Sequence, residues 1–119
     1  MSDSNNVKEF KMSLNDFQSL LSTNPNKIYF LYFMAHWCGP CKLIKSFIYE
    51  TADNFIKGGK DIEFYMVVSD DGDNEELVQH YNVNALPTFI IFKGEEIHSS
   101  IVGAQKDKLT TAINESLVK

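Results

Sequence analysis

Two cysteines separated by two residues, in the segment Trp37-Cys38-Gly39-Pro40-Cys41-Lys42, have the types and the spacing to do chemistry in this chain of 119 residues. At the start of a helix, positions three apart bring their α-carbons to a separation that a disulfide bridges, so the pair can open and close with little backbone movement. A helix start also leaves N–H groups unpaired and carries the positive end of the helix dipole, and both favour an anion. A thiolate on Cys38 is that anion. Free cysteine titrates near ~8.5, so on the order of 3% is thiolate at neutral pH, and a helix N-terminus raises that share. Pro40 forfeits a donor that has no partner in a first turn, and its fixed φ helps to define where the helix begins. Gly39 keeps side-chain bulk away from Cys38. Cys41, one turn deeper, is expected to be shielded, to keep a higher pKa and to act second.

Other uses of the pair fit less well. A structural staple gains little from so short a loop, which hardly restricts the unfolded chain. Zinc requires further ligands, and His36, His80 and His98 show no finger-like spacing, so no metal is expected. The acidic turn from Asp70 to Asp73 reads as a solvated loop, because it lacks the spacing and closing glutamate of a calcium loop.

The elements that hold the pair can be read outward from it. Upstream, Ile28-Tyr29-Phe30-Leu31-Tyr32-Phe33-Met34 is apolar without alternation, as a central strand covered on both faces must be. Downstream, Leu43, Ile44, Phe47, Ile48, Ala52 and Phe55 return at helical spacing until Gly58-Gly59. An extended piece over 7–11 precedes a first helix that Ser13 caps, with Asp16 at the reciprocal position; the helix runs to about Leu21 and buries Leu14, Phe17, Leu20 and Leu21. A second buried strand spans 62–68, and a short helix carries Leu77, Val78 and Tyr81. Then come a hairpin, 88–92 and 96–102 around Lys93-Gly94-Glu95, and a last helix burying Leu109, Ala112, Ile113 and Leu117. The order is α/β: a central mixed sheet of about five strands flanked by about four helices, in a single domain over 1–119.

Composition agrees. The chain is 44% apolar and 23% charged, as a folded globule is. Its net charge is -5 and its basic residues are all lysine, which argues against nucleic-acid binding. No apolar run approaches a membrane span of roughly 20 residues, so no membrane association is expected. The polar start Met1-Ser2-Asp3-Ser4-Asn5-Asn6 does not read as an export signal. A cytoplasmic location is the expectation.

Trp37-Cys38-Gly39-Pro40-Cys41-Lys42 resembles the active-site signature of the thioredoxin family, and proline at 40 resembles its reducing branch. Ala85-Leu86-Pro87-Thr88-Phe89 is similar to the family's cis-proline loop, and Val102-Gly103-Ala104 to the segment before its last helix. The resemblance implies the thioredoxin fold and a thiol-disulfide oxidoreductase, a protein-disulfide reductase in which Cys38 is the nucleophile and Cys41 resolves the mixed disulfide. It implies that Trp37, Ala85, Leu86, Pro87, Gly103 and Ala104 form the substrate groove. No cofactor is implied on the chain itself, electrons coming from NADPH through a thioredoxin reductase and passing to disulfide proteins such as peroxiredoxins. The chain departs from the family at Tyr32, where members carry a buried acid thought to deprotonate the resolving cysteine. Met66 stands near where many have that acid's partner. Tyrosine is a poor base at neutral pH, but its hydroxyl could hold a water or donate to a thiolate. His36, two residues before Cys38, is expected to influence the thiolate modestly. The other reading is a thioredoxin-fold binding or scaffold module with a regulatory or vestigial cysteine pair, which Tyr32 would allow.

Overall fold

Every residue of the run Ile28–Met34 is buried, and it forms a strand with neighbours on both sides. The structure, a computed structural model, describes residues 6–118; the polar opening stretch lies, but for Asn6, outside the described residues. In chain order the elements are β1 (Val7–Glu9), α1 (Leu14–Thr23), β2 (Ile28–Met34), α2 (Gly39–Lys57), β3 (Ile62–Val68), a 3-10 turn (Gly72–Asn74), α3 (Glu75–His80), β4 (Thr88–Lys93), β5 (Glu96–Val102) and α4 (Lys106–Ser116). The sheet runs β1-β3-β2-β4-β5. β2 pairs in parallel with β3 and antiparallel with β4, so the sheet is mixed as expected.

Alternation along β2 builds two cores from one strand. Phe30, Tyr32 and Met34 face α2 and α4, packing with Cys41, Ile44, Ile48, Phe89, Leu109 and Ile113. Tyr29, Leu31 and Phe33 face α1 and α3, packing with Phe17, Leu21, Leu77, Ile90 and Phe92. The Ser13 hydroxyl caps α1, accepting from the Asp16 N–H at 3.0 Å.

The structure corrects the reading in places. The extended start is only three residues, though the Phe10 N–H continues the edge by donating to the Met66 carbonyl. α1 runs on to Thr23. Leu43, placed in the core by its spacing, is 82% exposed, because it points away from the face of α2 on which Cys41, Ile44 and Ile48 are buried. Leu117 is half-buried, and Ser116 takes the inner position beside Ile113. β5 carries an irregularity opposite Ile91 and Phe92, which the sequence does not announce.

Candidate active site

The residues from Ala35 to Cys38 turn the chain from the end of β2 into α2, and the Cys38 N–H closes the turn on the Ala35 carbonyl at 3.1 Å. Cys38 is the N-cap of α2: its backbone is extended and its Sγ accepts from the Cys41 N–H at 3.2 Å. Oxygen side chains normally hold that position. With a sulfur there, the unpaired N–H groups and the dipole of a 19-residue helix act directly on the reacting atom. Pro40 lies in the first turn as expected. Cys38 and Cys41 form a disulfide with α-carbons 5.3 Å apart. Cys38 keeps 5% exposure and Cys41 none, so one sulfur stands in front of the other.

Tyr32, on β2, is wholly buried and stacked on Phe89, ring centroids 5.4 Å apart. Its hydroxyl donates to the main-chain carbonyl of Cys41 at 2.6 Å. The expected partner, a water or a thiolate, is thus replaced by the backbone of the second cysteine. Burial, with Tyr49 contributing less, pushes the phenol up to about 12, so it is a donor and not a base near neutral pH. Met66 is the cross-strand partner of Tyr32, which sets the two departures from the family pattern side by side.

A shallow groove of roughly 530 Å³ opens at Cys38. Trp37, Gly39 and Pro40 lie on one side, Val83, Asn84, Ala85 and Leu86 on the other, with Ser69 and Asp70 completing the lining. Trp37 is 70% exposed, and its indole N–H donates to the Asp70 carboxylate at 3.1 Å. The Leu86–Pro87 bond is cis, and Pro87 is buried behind the groove. The Thr88 hydroxyl donates to the Ala85 carbonyl at 2.6 Å, fixing the wall.

Of the residues proposed from sequence, Trp37, Gly39, Pro40, Ala85 and Leu86 therefore meet around Cys38. Gly103 lies behind them, its N–H donating to the Pro87 carbonyl at 2.9 Å and its φ of +94° suiting glycine. Ala104 follows it, exposed; His36 and Lys42 are exposed before and after the cysteines. Sequence reading missed Ser69, Asp70, Val83 and Asn84 as groove residues. A signal existed for the first two: they follow β3, parallel neighbour of β2, and sites in such sheets gather outside the carboxyl ends of strands. Among the described residues, no group of three or more His, Cys, Asp or Glu could hold a metal ion.

A family model described as thioredoxin matches residues 8–115. The chain belongs to the thioredoxin family. It is 36% identical over 92 residues to "Thioredoxin H2-2" of Oryza sativa subsp. japonica, covering 77% of this chain and only 64% of that relative's length. It is 34% identical over 100 residues to thioredoxin of Ophiophagus hannah, covering 84% and 90% of the two chains. Thioredoxin NaTrxh of Nicotiana alata superposes with a TM-score of 0.83 at 28% identity, over 99% of this chain and 98% of that one. A chain of the crystal structure of a ferredoxin:thioredoxin reductase and thioredoxin f2 complex gives 0.78 at 25% identity, over 93% and 94%. The fold is the thioredoxin fold. The disulfide of Cys38 and Cys41 fits the dithiol-disulfide exchange of this family of protein-disulfide oxidoreductases.

Proposed function

We propose that this thioredoxin reduces disulfides in other proteins. The observation that carries the reading is the order of the sulfurs: Cys38 caps the helix at the groove, and Cys41 sits wholly buried behind it. In the reduced protein the Cys38 thiolate attacks a substrate disulfide, forming a Cys38–substrate bond and expelling one substrate thiolate. Cys41 then loses its proton and attacks the Cys38 sulfur, closing the intramolecular disulfide and releasing the second substrate thiolate. The substrate gains two electrons and, with two protons from solvent, leaves as a dithiol. The backbone at Ala85, Leu86 and Pro87 pairs with an extended substrate, while Trp37, Gly103 and Ala104 form the rim. His36 exerts a modest influence on Cys38.

Electrons return to the disulfide from NADPH through a thioredoxin reductase; the solved complex of thioredoxin f2 with a ferredoxin:thioredoxin reductase supports a reductase as the donor. Peroxiredoxins are a fitting substrate class and the cytoplasm a fitting location. Insulin reduction driven by dithiothreitol tests the central claim. The native protein should accelerate insulin precipitation, and Cys38→Ser and Cys41→Ser should each abolish the acceleration. Equal rates from all three proteins would sink the reading.

A further inference from the structure

We propose that Ser69 binds substrate: its hydroxyl forms a hydrogen bond with a polar group of the peptide in the groove, next to the half-cystine attacked by Cys38. This rests on the proposed exchange at Cys38 and adds to it a determinant of which disulfides are accepted.

Among the described residues, Ser69 Oγ is the sole buried side-chain nitrogen or oxygen with no hydrogen-bond partner. A buried hydroxyl without a partner destabilises the protein that carries it, and native chains seldom keep one without use. Ser69 is not in the sheet core but in the groove lining, together with Trp37, Cys38, Pro40, Ala85 and Leu86. In that mainly apolar lining, which also holds Asp70 and Asn84, its hydroxyl is a small group able both to donate and to accept.

The backbone around Ser69 is held firmly. Its N–H donates to the Met34 carbonyl at 2.7 Å, tying it to the end of β2 four residues before Cys38. On one side, the Val68 carbonyl accepts from the Asn74 amide at 3.0 Å and from the Asp71 N–H at 3.2 Å. On the other, Asp70 accepts from the Trp37 indole. The Cα of Ser69 thus keeps its place relative to the reacting sulfur, while no bond restrains its side chain from turning about χ1 between staggered positions. An immobile backbone carrying an uncommitted hydroxyl suits recognition of a group brought by the ligand. A peptide that supplies this group satisfies Ser69 on binding, and one that does not leaves the hydroxyl unpaired under a covered groove. Sites of this kind discriminate against the ligand lacking the polar group.

The partner group is either a main-chain amide of the extended peptide or a short polar side chain beside its half-cystine. The test compares native protein and Ser69→Ala, both fully reduced, in single turnovers against a disulfide-containing peptide and against 5,5′-dithiobis(2-nitrobenzoate), whose small rings leave most of the groove empty. The readout is the ratio of the peptide rate constant to the small-disulfide rate constant. It should fall roughly tenfold in Ser69→Ala, the loss expected for one hydrogen bond in a covered site. Peptides with an N-methylated amide beside the cysteine, or with alanine for its polar neighbour, then identify the source, since the difference between native and variant vanishes when the true partner is removed. An unchanged ratio in Ser69→Ala overturns the proposal. A native protein that reduces neither disulfide refutes the exchange reading itself, separately from the role of Ser69.

Discussion

Tyr32 supplies to the second cysteine a hydrogen bond on its carbonyl, not a group able to take its proton. Tyr32→Phe keeps the ring stacked on Phe89 and removes only that bond, so it should lower stability by about 1 kcal/mol, read from the urea midpoint. The pH profile of disulfide reduction below about pH 9 should keep its shape in Tyr32→Phe, because the native phenol holds its proton throughout that range. A lost inflection would show Tyr32 acting as a base. Residue chemistry was legible where spacing alone defines it: the cysteines, Pro40 and the Leu86-Pro87 bend all occupy the expected places. It was not legible where the partner is distant in the chain. Asp70 reads as part of a solvated acidic turn until the sheet brings it to Trp37, 33 residues away. The Cys41 carbonyl becomes a partner for Tyr32 only once helix and strand are packed together.

At the scale of elements, the hydrophobic patterns placed strands and helices well because each pattern has one physical cause. β2 is apolar throughout because both its faces are covered, and α2 stops where Gly58 caps it. The pattern failed for Leu43, since a loosely drawn helical stripe took in a residue that points away from the face buried by Cys41, Ile44 and Ile48. The inner face of α1 is anchored by Phe17, fully buried and meeting Phe10, Tyr29, Tyr81 and Phe92 edge-on at centroid distances of 5.2 to 6.5 Å. Phe17→Ala empties a site enclosed by rings that cannot all collapse into it. It should cost about 3–5 kcal/mol in equilibrium unfolding while leaving the cysteine pair, on the other side of the sheet, in place.

Over the whole molecule, four of its five tyrosines, Tyr29, Tyr32, Tyr65 and Tyr81, have phenols shifted upward, with burial the largest cause in each. An unfolded chain ionises tyrosine near ~10, whereas the folded chain resists until higher pH. The stability linked to these phenols is therefore complete below that value and lost as pH rises through the folded ones. In an alkaline titration, most of the tyrosinate absorbance should appear together with the loss of far-UV circular dichroism; tyrosinate forming in a still-folded protein would contradict this. One consequence follows from the central place of β2. Its residues are paired with β3 along its full length and with β4 over all but the last, so its amides open only when the sheet itself comes apart. Cys41 is packed in the same cluster as that strand. In the reduced protein an alkylating reagent would thus meet two thiols on different clocks: Cys38 reacts at the pace of the reagent, and Cys41 at the pace of amide exchange in the most protected strand of the sheet.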